Sequence, residues 1–489
     1  MIYDLFIIGG GINGAGIACD AAGRGLSVYL CEKDDFASGT SSKSSKLIHG
    51  GLRYLETFDF KLVRKALKER EILSFKAPHL IKPVPFIMPF NVNIHAPWLI
   101  RLGIWFYDHL AKKSLPSSTS TLSRLEYKSL KLKYQKGIKY YDCWVDDARL
   151  VICNLQHAQK LGAHIQNYHQ CISIKSEQKY WVISVLNVLT HEVIEIKAKA
   201  LVNATGIWAD QTNALINPKH FRKRLSLVQG SHIMVPKWYL GQHAYILQTN
   251  DKRVVFVIPD GKNAIIGTTD IAYEGSLEDI QISALEKEYL ISVINVYFNI
   301  ALNKSDIIHC YSGVRPLVKD GHNRLSKISR EYVIEKEIHH ELNLVNIYGG
   351  KLTTYRQLAE DVLKQLQTVF PNMKPAWTKK EKFPSASFDT LKQYYYDLRR
   401  QKSWLPKDLL LMYTRKYGTF TSVLLGEAQS TDDLGIDFGH GLFQIEIDYL
   451  LKYEWVKTID DILWRRTKFG ISMSEDDKSR LNQYISEYK

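Results

Sequence analysis

Residues 3–8, YDLFII, form a short run of strand length, apolar but for Asp4, that stops abruptly at a cluster of glycines. Apolar residues on both faces are the pattern of a strand covered on both sides. The stretch AGIACDAAGRG then carries small residues with helical spacing, and LSVYLCE returns to a strand pattern, so the first 32 residues predict a βαβ unit. Two more apolar runs, ALVNATG (200–206) and LVNIYGG (344–350), also end in glycine and read as buried parallel strands whose ends line a site.

Between these runs the texture changes. Residues 76–144 are rich in proline and aromatics, and 225–300 contain the strand-like runs RVVFVIP and AIIGTTD, which read as insertions forming a second domain. The expected α/β domain therefore comes in three pieces, 1–75, 145–210 and 305–370, and the inserted domain in two, 76–144 and 211–304. A Pro- and Lys-rich linker, PNMKPAWTKKEKFP, leads to a helical domain over 385–489, where TLKQYYYDLRRQ and FQIEIDYLLKYEWVKTIDDILWRRT keep helical spacing.

Size agrees with this division, because single cores rarely grow past about 250–300 residues and the chain has 489. Sixty-five Lys and Arg against 51 Asp and Glu leave a formal charge of +14, which suits a nucleic acid, an anionic membrane or a phosphorylated metabolite without choosing among them. Six scattered cysteines with no C-x-x-C pair imply a reducing compartment and no metal site. A strand so near the start leaves no room for a leader peptide. No stretch reaches the roughly 18 uninterrupted apolar residues of a spanning helix. PWLIRLGIWFYDHL (97–110) is broken by Arg101 and Asp108, so any membrane contact is expected from one side.

Candidate chemistry starts at the first turn. Gly9, Gly11 and Gly14 make G-x-G-x-x-G between strand and helix, which allows a tight turn, close approach of backbone to a pyrophosphate and a helix N-terminus facing the anion. Glu32, 18 residues after Gly14, ends the second strand where a carboxylate can accept from a ribose diol. SGTSSKSSKL (38–47) packs hydroxyl donors behind that strand, as a cofactor loop or as a solvated serine-rich loop. The stretch from Ala37 to Leu55 has no carboxylate but holds Lys43, Lys46, His49 and Arg53, as if awaiting an anion. In YGGKLTTYR (348–356) two glycines end a strand and Lys351 to Thr354 open a helix, whose positive end would stabilise charge at a cofactor's edge.

These words, with DCWVDDARLV, QGSHI, IIGTTD, YSGVRPL and EWVKTIDDILWRRTKFG, resemble in order and register the aerobic FAD-dependent glycerol-3-phosphate dehydrogenases, from about residue 3 to about residue 480. The resemblance implies a glutathione-reductase-like, Rossmann-type FAD domain, an antiparallel substrate sheet of the D-amino-acid-oxidase type and a C-terminal helical cap. It implies oxidation of sn-glycerol 3-phosphate to dihydroxyacetone phosphate, with electrons passed from FAD to membrane quinone. The matching motifs place Gly9, Gly11, Gly14, Glu32, Thr40, Ser41, Ser42, Ser45, Lys46, Leu47, Thr205, Gly206, Gly313, Gly350, Lys351, Leu352 and Thr353 at the cofactor. Arg53, Tyr54 and Thr269 would bind substrate, with His49, His232, Arg315 and Lys351 at the reacting centre. Arg53 suits a phosphate because a guanidinium fork meets two oxygens at once. The proton acceptor is His232 or His49, imidazole titrating near pH 6.5, or a cation of strongly lowered pKa.

Two other readings fit the same motifs: a glycerol-3-phosphate oxidase using O₂, and a basic FAD protein acting on tRNA. Against the second, the cations cluster in cofactor and substrate motifs, so no nucleic acid is expected. A cytoplasmic enzyme held peripherally on the inner face of the cytoplasmic membrane is expected, with a homodimer as its assembly. Its candidate contact is 97–113, where Trp98, Trp105, Phe106 and Tyr107 would anchor and Lys112 and Lys113 flank, unless this segment is a plain buried helix.

Overall fold

The computed structural model describes residues 1–52, 59–91, 97–110, 115–216, 224–251, 253–318 and 331–488. Arg53, Tyr54, Lys112 and Lys113 lie outside the described residues. Strand β1 (Ile2–Ile8) runs parallel to β2 (Val28–Cys31) on one side and to Val193–Asn203 on the other, and Leu342–Tyr348 lies parallel beyond that. From Leu5 to Ile7, β1 is wholly buried, which is why both of its faces are apolar. Helix α1 (Ile12–Gly23) joins β1 to β2, and its small residues let neighbours come close: a Cβ on Gly16 would stand 2.6 Å from the Tyr355 ring. An antiparallel hairpin, His169–Glu177 with Tyr180–Asn187, extends the sheet through Val193–Asn203.

The second sheet runs Ile271–Ala272, Leu225–Pro236, Asn263–Gly267, Val254–Asp260, Ala244–Gln248, Ile81–Pro89, Gly137–Val145, Leu47–Ile48. Its described pairs are antiparallel except Ala244–Gln248 with Ile81–Pro89. Strand His309–Val318, placed in the third piece of the nucleotide domain by the sequence reading, instead pairs with Leu225–Pro236 from Leu225↔Val318 to Met234↔His309. An antiparallel partner lies along its whole length, and among the described residues the chain next joins the first sheet at Val333–His339. Leu47–Ile48 likewise carries the end of the hydroxyl-rich loop into the second sheet.

Beyond residue 385, the helices Leu391–Gln401, Lys407–Tyr417, Phe420–Leu425, Gln444–Tyr453 and Glu475–Glu487 close on a core of their own, including Leu405, Leu410, Tyr413, Leu442 and Leu450. Helix Pro97–Leu110 is two-faced. Ile100, Ile104 and Tyr107 are buried, while Trp98 (66% exposed), Trp105 (51%) and Phe106 (40%) face outward. Tyr107 is thus no surface anchor: its hydroxyl bonds the buried Asp142 carboxylate at 2.8 Å and accepts the Gly50 N–H at 2.7 Å. Among the described residues no helix is long and apolar enough to cross a membrane.

Candidate functional site

Both sheets end on one cavity of about 570 Å³. Its nucleotide-side wall begins at the β1–α1 turn. Gly9 has φ +109°, and a Cβ there would stand 2.6 Å from the Ala204 carbonyl oxygen, so only glycine fits between the two strand ends. Gly14 does not line the cavity; a Cβ on it would lie 1.9 Å from the Gly9 carbonyl oxygen, so its part is to let α1 sit directly on the turn. The helix N-terminus lacks a side-chain cap from Gly11, and the Ser41 hydroxyl supplies one by accepting the Ile12 N–H at 2.9 Å. Glu32 accepts the Gly10 N–H at 2.7 Å and the Asp34 N–H at 3.1 Å, which fixes its carboxylate at the end of β2 beside the turn.

The hydroxyl-rich loop is a cavity wall rather than a solvated loop. Thr40, Ser41, Ser45 and Leu47 line the cavity, and the Thr40 hydroxyl donates to the Val314 carbonyl at 2.7 Å, bridging to the second sheet. Ser42 and Lys46 lie outside the wall. The buried Lys46 ammonium turns away to the Asp147 carboxylate, at 3.0 and 3.1 Å. From the other strand ends come Thr205, Gly206, Gly350, Lys351, Leu352 and Thr353, and from within strand His309–Val318 comes Gly313, all on the wall. Asn13 donates to the Gly349 carbonyl at 3.1 Å, tying the start of α1 to the Gly349–Gly350 turn.

Opposite this wall stand His49, His232, Phe256, Thr268 and Arg315. His232 is buried, stacks on Tyr311 at 4.7 Å, and shares a hydrogen bond with the Ser45 hydroxyl at 2.9 Å through Nε2. Burial first, then the Arg315 guanidinium, pushes its pKa down to about 3, so the imidazole is neutral. Arg315 donates to the Thr268 hydroxyl at 3.0 Å and pairs with Asp270. The His49 and Phe256 rings meet at a near right angle, centroids 6.1 Å apart, and the His49 backbone N–H donates to the Thr353 hydroxyl at 3.4 Å.

Thr269 is not in the wall. It is buried, and its hydroxyl donates to Glu286 at 2.6 Å while accepting the Ser231 N–H at 2.9 Å. The same carboxylate accepts from the hydroxyls of Ser231 (2.7 Å) and Ser283 (3.0 Å) and from Gln229 (3.0 Å). Glu286 thereby ties down the residues next to His232 and Thr268, a role that the alternation of Thr268 and Thr269 across the chain does not reveal from spacing. Also unforeseen are Asn13, Thr268 and Phe256 on the wall, and a buried pair behind it, Asn203 donating to Asn346 at 3.1 Å. Asn203 also accepts from the Thr205 hydroxyl at 2.7 Å. An asparagine inside each of two apolar strands, VNATG and LVNIYGG, is a visible signal for that pair.

The donor set fits FAD. Glycine-lined turns, a helix N-terminus and a hydroxyl-rich loop along one long wall are what a pyrophosphate and its flanking rings require, and Gly9, Gly11, Glu32, Ser41, Thr205 and Gly350 would hold it. Comparison with known proteins agrees. Residues 4–356 match the FAD dependent oxidoreductase family model. The chain is 44% identical to the aerobic glycerol-3-phosphate dehydrogenase of Escherichia coli K12, over 99% of this chain and 97% of that one. It is 43% identical to the D-erythritol 1-phosphate dehydrogenase of Brucella abortus, over 99% and 97%. Among solved structures it resembles the FAD complex of glycerol-3-phosphate dehydrogenase from Bacillus halodurans, with TM-score 0.77, 25% identity and coverage of 99% and 94%. The chain belongs to the FAD-dependent glycerol-3-phosphate dehydrogenase family.

Proposed function

We propose that this chain oxidises the C2 hydroxyl of sn-glycerol 3-phosphate to the ketone of dihydroxyacetone phosphate. The observation that carries the reading is that Arg315 and two imidazoles, on the wall facing the nucleotide turn, share one cavity with Lys351 of the nucleotide wall, a set of cations and bases suited to a small phosphorylated alcohol. FAD bound in the cavity supplies the two-electron acceptor. Arg315 and Lys351 hold anionic oxygens of the substrate, with Arg53 and Tyr54 as further phosphate donors, and Phe256 and Leu352 narrow the space around the carbons.

The C2 hydroxyl proton goes to one of the two imidazoles. His232 is neutral in the empty cavity, the form a proton acceptor needs; a phosphate dianion at Arg315 would offset only the guanidinium's share of its lowered pKa, burial remaining the larger cause. The test is the acid limb of kcat/KM against pH in His232→Gln and His49→Gln: the limb disappears in the variant that has lost the acceptor. A limb kept in both removes the imidazoles from that role.

A second reading, a four-carbon polyol phosphate as substrate, is favoured by the relative that acts on D-erythritol 1-phosphate. Anaerobic addition of each polyol phosphate to purified holoprotein separates the two, since the true substrate bleaches the flavin spectrum and the other does not. Failure of glycerol 3-phosphate to bleach it overturns the first reading.

Electrons then pass to a membrane quinone, and the protein binds the inner face of the cytoplasmic membrane peripherally. Exposed Trp98, Leu102, Trp105 and Phe106, with Phe60 6.2 Å from Phe106, support contact through helix Pro97–Leu110. Each Lys or Arg brought near an anionic surface adds about 1 kcal/mol of attraction. Flotation with anionic vesicles at low salt and partial release at high salt is expected; no flotation removes the membrane from the reading. Quinone reduction without peroxide separates this enzyme from an O₂-using oxidase.

A further inference from the structure

Among the described residues, the C-terminal helical domain contributes none to the cavity wall. Its segment Glu454–Lys468 nevertheless directs Arg465 and Arg466 at the start of the loop that forms that wall. Asp35, wholly buried at the start of the loop, accepts two N–H groups of the buried Arg466 at 2.7 and 2.8 Å, one from Arg465, and the Asn167 amide at 3.2 Å. Next in sequence, Phe36 meets the Trp455 ring edge-on at 5.3 Å. On its other side Phe36 presses on the nucleotide turn, where a Cβ on Gly10 would lie 2.4 Å from its ring.

The far end of the loop is tied in the same way. Lys46 and the Ser44 hydroxyl both reach Asp147, the hydroxyl at 2.8 Å, and Lys468 of the helical domain lies 2.6 Å from Asp146 and 3.7 Å from Asp147. Asp147 is therefore shared between a lysine of the loop and a lysine of the helical domain. Two non-glycine residues of the loop, Ala37 (φ +63°) and Lys46 (φ +56°), adopt left-handed backbone. Such conformations persist only where the surroundings over-determine them. Between the two ties lie the wall residues Ser38, Thr40, Lys43 and Ser45, and Ser41, which caps α1.

We propose that the C-terminal domain is a brace for the cofactor loop, with Trp455, Arg465, Arg466 and Lys468 as positioning residues whose contacts set how tightly FAD is retained. None of them touches the cavity, so they act through residues 35–47. Ion pairs suit the task better than apolar contact: buried pairs add little net stability, but their geometry admits few alternatives. The inference does not depend on which polyol phosphate is oxidised or on the electron acceptor.

The test uses full-length holoprotein and two readouts, the rate of FAD release on dilution, followed by the rise in flavin fluorescence, and amide hydrogen exchange over residues 37–45. Arg466→Gln is expected to release FAD about tenfold faster or more, as loss of charged hydrogen bonds implies. Exchange over 37–45 is expected to rise while the helices of residues 391–453 keep their protection. Lys468→Met, at a partly exposed position, is expected to change both readouts in the same direction by a smaller factor. Arg466→Lys should recover part of the loss. Unchanged release and unchanged exchange over 37–45 in both Arg466→Gln and Lys468→Met overturn the brace. Should Arg466→Gln not fold, Lys468→Met decides alone by the same readouts.

Discussion

The two walls of the cavity are made by different means. The nucleotide wall is mostly backbone: Gly9 against Ala204, Gly14 against Gly9, the first turn of α1 and the N–H groups held by Glu32 and Ser41. The substrate wall is mostly side chain: His232 and Arg315 project from within two paired strands and Thr268 follows the end of a third, kept in place by Glu286 and Asp270 behind them. Backbone against backbone leaves no slack, whereas a side chain held by a carboxylate can be loosened by degrees. The walls should therefore fail differently, the first by losing cofactor and the second by losing substrate.

The most severe test of that difference is Gly14→Ala. Its Cβ would stand 1.9 Å from a carbonyl oxygen that cannot rotate away, so a cost above about 3 kcal/mol is expected, with little FAD in the purified protein. Full flavin content, read from the visible spectrum, would break the comparison at its strongest point. On the substrate wall, Arg315→Ala should keep FAD and lose about 1.5–3 kcal/mol of transition-state binding, roughly tenfold to over a hundredfold in kcat/KM. Loss of FAD together with turnover would erase the distinction between the walls.

Glu32→Ala should show the cofactor phenotype in milder form. FAD affinity falls by about 1.5 kcal/mol, roughly tenfold, and titration with FAD restores activity. Activity that stays lost at saturating FAD would move Glu32 to another role. Smallest is Thr269→Val, which strips the hydroxyl from the Glu286 cluster and should cost about 1 kcal/mol, roughly fivefold in kcat/KM, with FAD affinity unchanged. Thr269→Ser keeps the hydroxyl and should recover most of the loss; equal losses in both would assign the effect to packing.

The same contrast explains what could be read from residue order. Gly9, Gly11 and Glu32 were legible because the backbone demands glycine at fixed spacing and the carboxylate follows one short strand later. The parallel runs ending in VNATG and LVNIYGG were legible for the same local reason, and so was the helical texture beyond residue 385. That Thr269 stands behind the wall was not legible, because two adjacent threonines point to opposite sides of the chain, and the position of Glu286 on a later helix decides which one faces the cavity. Lys46 sits in a run of hydroxyls like a cofactor ligand, yet Asp147, 101 positions away, captures it. Strand His309–Val318 carries no mark of its sheet, since the partner that claims it lies some eighty residues earlier.

The parallel core has a further consequence for how the chain is made. β1 leaves the ribosome with β2 close behind, but its other neighbour, Val193–Asn203, follows only after roughly 10–40 s of synthesis at about 5–20 residues per second. Leu342–Tyr348 comes later still, and the segment from Glu454 to Lys468 is among the last to emerge. Until residue 204 has emerged, β1 has only β2 beside it and the glycine turn lacks the Ala204 carbonyl against which Gly9 packs. Nascent chains stalled before residue 340 should thus be clients for chaperones rather than for flavin.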